Sequence, residues 1–264
     1  STSSDYFMSG IDPSLITHFW SLAVEEQFYF IYPLAVFSLT WIAPLRHRTA
    51  VLRLFLIVII ALSAVWSAQL TPLNAVEAYY SPFTRLWELA LGGLVAVLPE
   101  TWHSVYPRIA QTQAWMGAGL LTAALIVISP TSGFPGTAAW LPCLSAALLL
   151  HAGASHSTTG LNGLLGRAPL KYIGDISYSL YLWHYVWLIL PAQLPTPLNG
   201  PATTLIGFVG TFACAAVSYH AMENRIRHSN RLQRDGLATG LLLLICIAIT
   251  LDATVVIESL YLNR

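Results

Sequence analysis

The segment His18-Phe19-Trp20-Ser21-Leu22-Ala23-Val24-Glu25-Glu26-Gln27-Phe28-Tyr29 carries an imidazole and two adjacent carboxylates into an otherwise apolar run. Such groups can take a proton from a hydroxyl, deliver one to a leaving group or orient a nucleophile. At helical spacing His18, Ser21, Glu25, Tyr29 and Tyr32 fall at i, i+3, i+7, i+11 and i+14, so they share one face that is expected to point inward, with Glu26 about 100° around. Two readings of the carboxylates stand side by side. Either they bond neighbouring helices as structural glue, or they do chemistry.

Two further clusters carry the same potential. In Thr84-Arg85-Leu86-Trp87-Glu88, Arg85 and Glu88 lie at i, i+3 and can form an ion pair. A lone arginine could snorkel to the membrane surface, but Glu88 lies one turn deeper, which favours an interior pair. Gly92 and Gly93, just beyond, would let another element approach closely. In Gly174-Asp175-Ile176-Ser177-Tyr178-Ser179-Leu180-Tyr181-Leu182-Trp183-His184-Tyr185, the side chains of Ser177, Tyr181 and His184 share a face at i, i+4 and i+7. His184 could act as a base, a proton relay or a donor, or be a satisfied structural histidine. The other histidines, at 47, 103, 151, 156, 220 and 228, fall at segment ends or in loops, where solvated roles fit better, and Asp252 has no evident partner.

The elements that must position these groups are membrane helices. Of the 264 residues, 56% are hydrophobic and only 9% charged, with a mean hydropathy of +0.63. A soluble globule carries about 25% charged residues, so soluble enzymes and disordered chains are excluded. A bilayer core of about 30 Å needs about 20 apolar residues per helix. The sequence offers eight such runs, near 19–42, 51–70, 83–99, 113–129, 137–153, 172–191, 202–220 and 237–257. Runs such as 54–64 do not alternate, which excludes a β-barrel. The expected fold is therefore all-α, a polytopic membrane helix bundle.

Basic residues accumulate on the cytoplasmic side of membrane proteins. Arg46, Arg48, Arg53, Arg108, Arg167, Lys171, Arg225, Arg227, Arg231 and Arg234 all fall on one side of the eight-run reading, and the opposite loops around 71–82, 129–136 and 191–201 hold no Lys or Arg. Both termini are thus expected outside. At 1.5 Å per residue, Glu25 would lie roughly 10 Å below the outer surface, with Glu88 and His184 also in the outer half. At least one of Glu25 and Glu26 is then expected to line a cavity with His184. Zero net charge argues against nucleic acid. Cys143, Cys214 and Cys246 lie in apolar runs without metal-ligand spacing, so neither a disulfide framework nor a metal site is expected. No internal repeat is visible.

The segment from His18 to Tyr29 resembles the most recognisable motif of the integral-membrane acyltransferase-3 family, bacterial O-acetyltransferases of surface glycans. Three further stretches resemble family blocks in the expected order: 83–93, 173–184 and 218–227, the last containing Glu223. Phe19 stands where the family usually has Thr, and Arg225 where it usually has Pro. The family begins with a span bearing a basic residue and, about ten positions later, the histidine thought to be catalytic; residues 1–17 match neither, so the resemblance implies that the usual histidine is not in this chain and that the fragment by itself is inactive. The resemblance therefore implies a family fragment without the first spans and without a C-terminal periplasmic domain, its 264 residues forming a single transmembrane acyltransferase-like domain.

The resemblance further implies a membrane O-acyltransferase, most simply an O-acetyltransferase, of the bacterial inner membrane. It would take an acyl group from cytoplasmic acetyl-CoA, a donor substrate and not a bound cofactor, to a hydroxyl of a surface or exported glycan. His18, Glu25, Glu26 and His184 would handle protons or orient groups. Arg85, Glu88, Ser177, Tyr181 and Glu223 would bind substrate or hold the site. The alternative from another class is a proton-coupled transporter of a glycan or small polar substrate, and the blandest is a membrane scaffold. Transporters tend to carry matched broken helices near the midplane, and none is visible in the sequence.

Overall fold

The structure, a computed structural model, describes residues 19–99, 106–129, 132–155, 159–190 and 200–229. His18, His103, His156, Cys246, Asp252, Arg231, Arg234, the N-terminal stretch and the apolar run 237–257 lie outside the described residues. Among the described residues all regular structure is helical, so the protein is all-α as expected.

The helices fall into two compact units that divide after Asp175. The first contains α1 (Phe19–Ile42), α2 (Arg48–Leu73), α3 (Ala75–Tyr80), α4 (Leu86–Ala96), α5 (Pro107–Val127), α6 (Trp140–Ala154), α7 (Gly160–Leu165) and α8 (Ala168–Asp175). The second contains α9 (Ser177–Ile189), α10 (Pro201–Ser218), a π-helical turn over Tyr219–Glu223 and α11 (Asn224–Arg227).

Among the described residues, two stretches are both long and apolar enough to cross a bilayer, Leu45–Leu73 and Pro201–Arg227; Leu86–Ala96 and Trp140–Ala154 are apolar but shorter. The expected sixth run, 172–191, is not one helix. It breaks between α8 and α9 at Ile176, whose φ of −92° and ψ of 5° leave the helical region. Periodicity alone could not show the break, because Asp175-Ile176-Ser177 contains neither Gly nor Pro.

The distribution of polarity inside the fold runs opposite to that of a soluble protein. Every buried polar residue among those described is a hydroxyl: Ser63, Ser67, Thr71, Thr84, Ser145, Ser179 and Thr211. Large apolar side chains such as Leu54, Leu62, Leu125, Ile126, Phe208 and Val217 are exposed. In lipid, apolar side chains gain nothing by leaving the surface, and helices are held by small residues and interhelical hydrogen bonds.

Within the first unit, α2 packs on α4 through Leu52, Leu56 and Ala90, and α5 packs on α6 through Ala114, Ala118, Leu149 and Ala152. The Ser145 hydroxyl crosses to donate to the Gly117 carbonyl at 2.8 Å. Gly93, as its sequence position suggested, meets a neighbour: a Cβ there would stand 3.2 Å from the Tyr32 hydroxyl of α1, while Gly92 faces open space.

In the second unit α9 and α10 are held by a Trp-on-Gly contact. The Trp187 indole lies where a Cβ on Gly210 would be, and a Cβ on Gly207 would stand 3.1 Å from the Trp187 carbonyl. Gly210→Val is therefore expected to cost about 1–3 kcal/mol by overpacking. Thermal melting in detergent should show a drop of several degrees for Gly210→Val and none for Gly92→Ala; equal melting temperatures would contradict the contact.

Candidate functional site

The start of α4 is fixed by hydroxyls before any charged group enters. Ser63 of α2 donates to the Phe83 carbonyl at 2.6 Å and accepts the Trp87 amide N–H at 3.0 Å. A buried hydroxyl thus satisfies backbone groups that a helix start would leave unpaired in lipid. Thr84, also buried, places its hydroxyl 2.8 Å from the Ser81 carbonyl and 2.5 Å from that of Ala78. Trp87 is fully buried and stacks on Trp140 of α6, with ring centroids 4.4 Å apart.

On this frame Arg85 Nη2 and Glu88 Oε2 form an ion pair at 3.3 Å, with side chains only 21% and 17% exposed. This is the interior pair that the i, i+3 spacing suggested. The Arg85 guanidinium also stands 5.9 Å from the centroid of the Tyr79 ring, a favourable placement for a cation. Glu25 of α1 lies within electrostatic range of Arg85, and Cys143 of α6 within that of both Arg85 and Glu88. The second carboxylate oxygen of Glu88, Oε1, is buried without a hydrogen-bond partner. The first helix and the start of α4 therefore bring together two carboxylates and one guanidinium, with the Cys143 thiol of α6 in range.

The inward face of α1 differs from the expected polar stripe. Ser21, Glu25 and Tyr32 are half-buried, but Tyr29 is 55% exposed, and Glu26 is exposed too. The innermost face instead runs through Val24, Phe28 and Tyr32 at i, i+4 and i+8; Val24 is buried, and the rings of Phe28 and Tyr32 stack at 4.9 Å. The surface that α1 meets is mostly apolar, formed by α2 and α4, so the apolar stripe wins the contact and Glu25 flanks it.

In the second unit His184 Nδ1 lies 2.6 Å from the Tyr181 carbonyl. A carbonyl only accepts, so Nδ1 is the donor in this contact. The Tyr181 ring packs against His184 with centroids 5.4 Å apart, whereas Ser177 is exposed at the start of α9. Glu25 and Glu26 belong to the first unit and His184 to the second.

Glu223 is more tightly held than the sequence suggested. The buried Ser179 hydroxyl donates to its Oε2 at 2.8 Å, and Arg227 pairs with its Oε1 at 3.0 Å. Glu223 closes the π-helical turn, an irregularity frequent at functional sites. One turn before it, Trp183 Nε1 donates to Ser218 Oγ at 2.8 Å. Sequence reasoning missed Ser179 because it does not share the Ser177–Tyr181–His184 face. Ser179→Ala would leave a buried carboxylate oxygen short of a donor, at about 1–3 kcal/mol. A lowered melting temperature for Ser179→Ala with an unchanged one for Ser177→Ala is the expected result; the reverse order would contradict the bond.

Comparison with known proteins decides the family. The acyltransferase-3 family model, described as an acyltransferase domain, matches residues 2–220. The chain belongs to the acyltransferase-3 family. The match contains the blocks at 18–29, 83–93 and 173–184 and reaches into the one that starts at Ser218. The peptidoglycan O-acetyltransferase OatA of Listeria monocytogenes is 32% identical over 235 residues, covering 84% of this chain and 37% of that protein. The O-acetyltransferase OatA of Staphylococcus aureus is 27% identical over 236 residues, covering 84% of this chain and 38% of its own length. This chain thus spans well under half the length of these relatives. No solved structure matches it.

Proposed function

We propose that the full-length protein is a multi-pass O-acyltransferase of the bacterial inner membrane, acetylating hydroxyl groups of a cell-surface or exported glycan with acetyl-CoA as the cytoplasmic donor. The observation that carries this reading is the family match over residues 2–220, in relatives named for O-acetyl transfer. Eight helices of this chain cross the bilayer in the proposal, with both ends outside and the basic loops in the cytoplasm. The chain acts as a single transmembrane domain.

The reaction exchanges one ester for another. A glycan hydroxyl oxygen attacks the thioester carbonyl, the carbon–sulfur bond breaks, and the hydroxyl proton ends on the departing coenzyme A thiol. That transfer needs a base near the hydroxyl, a way to return the proton and a charge to steady the developing oxyanion. Glu25 orients the acceptor hydroxyl, Arg85 held by Glu88 steadies the oxyanion, and His184 passes the proton. His18 and Glu26 assist at the outer end of α1, and Tyr181, Ser177 and Glu223 hold the histidine-bearing unit.

The test is to supply reconstituted full-length protein with acetyl-CoA labelled in the acetyl group and a glycan acceptor. Alkali-labile label on the glycan is the expected result, and a glycan that stays unlabelled contradicts the proposal. The topology is checked separately: a cysteine placed at Thr131 should react only with reagent on the outer side.

A further inference from the structure

Tyr79 stands in the last turn of α3 and Arg85 just before α4, and the chain between them is pinned. The buried Thr84 hydroxyl reaches the Ala78 and Ser81 carbonyls at 2.5 and 2.8 Å, and the Arg85 amide N–H donates to the Pro82 carbonyl at 3.0 Å. Ala78 and Thr84 are both fully buried. The backbone thus fixes where the two side chains start, and they meet: the Arg85 guanidinium lies over the Tyr79 ring, 5.9 Å from its centroid. The ring is itself held. Tyr80 packs edge-on against it at 5.3 Å and 88°, and Phe134, from the loop before α6, lies at 6.3 Å and 60°. The contact of Arg85 Nη2 with Glu88, at 3.3 Å, sets the reach of the guanidinium but not the tilt of its plane. A ring face that attracts the cation supplies the second restraint.

We infer, resting on the reading under Proposed function, that Tyr79 is a positioning residue whose ring face holds the Arg85 guanidinium, with Glu88, in the orientation that acyl transfer uses. The pull of a ring on a cation is strongest where the cation has left water, and Arg85 is only 21% exposed. A group that steadies a transition state must be placed closely, since a shift of about 1 Å can cost about 10²-fold. Loosening the restraint therefore lowers turnover and leaves substrate binding as it was.

The experiment uses reconstituted full-length protein, labelled acetyl-CoA and a glycan acceptor. Tyr79 is replaced by Phe, by Leu, and by mono-, tri- and pentafluorophenylalanine, which keep the ring and progressively drain the negative charge from its face. Tyr79→Phe is expected to keep kcat within about twofold, because it retains the ring that attracts the cation. The fluorinated series should lower kcat stepwise to about tenfold below Tyr79→Phe, with KM for both substrates unchanged, and Tyr79→Leu should lose at least as much. A level kcat across the series, with loss in Tyr79→Leu alone, would show that the ring acts by bulk only and overturn the inference, as would losses confined to KM. Melting temperatures give a readout that needs no activity. They should fall along the series in the parent and stay level in the Arg85→Met/Glu88→Met background, which lacks the cation; the same response in both backgrounds overturns the pairing. A parent that forms no ester overturns the acyltransferase reading, and the ring–cation pairing is then decided by the melting temperatures.

Discussion

Replacing Arg85 with Met is expected to destabilise the protein by about 3–5 kcal/mol, the usual cost of removing one partner from a buried ion pair. Arg85 and Glu88 are 21% and 17% exposed, and Glu88 already has one oxygen without a partner, so loss of the guanidinium leaves a carboxylate with no compensation. The double variant Arg85→Met/Glu88→Met removes the stranded charge together with its partner and is expected to recover most of the loss. Denaturant titration in mixed micelles distinguishes the two. A single variant as stable as the parent would show that the pair behaves like a solvated surface bridge, worth about 0–1 kcal/mol.

The largest effect on activity is expected at Glu25. Gln keeps the shape of the side chain and removes its charge, so Glu25→Gln should misorient the acceptor hydroxyl and lower glycan acylation by about 10²-fold. Glu26→Gln should do much less, because Glu26 is exposed whereas Glu25 is half-buried within range of Arg85. Acylation rates of the full-length variants at equal expression supply the check. Near-normal rates in both would return these residues to the role of structural glue. A larger loss at Glu26 would mean that the catalytic face of α1 lies about 100° from the one assigned.

Much of the architecture was legible in particular residues. The apolar runs marked helices, and the Arg85–Glu88 pair followed from a three-residue spacing that a helix converts into contact. The paired glycines signalled a close approach, which Gly93 makes and Gly92 does not. The polar stripe on α1 was only half legible. Period alone places Tyr29 with Glu25 but does not say which stripe the neighbouring helices will claim, and Phe28 with Val24 has the better claim on an apolar surface. Ser63 and Ser179 were invisible for a different reason. A serine in an apolar run has no pattern of its own, and its value comes from a backbone group or carboxylate 20 or 44 residues away. The break at Ile176 and the π-helical turn before Asn224 likewise arise from packing within the fold rather than from a local breaker.

The central claim is that the protein joins an acyl group to a glycan rather than moving the glycan. Proteoliposomes of the full-length protein, given acetyl-CoA labelled with carbon-14 on one side and a tritiated glycan on the other, test it directly. Both isotopes are expected on one molecule, separable by alkali, and Glu25→Gln should lower the joint product by about 10²-fold. Tritiated glycan crossing the membrane with no carbon-14 attached, driven by a proton gradient, would contradict it.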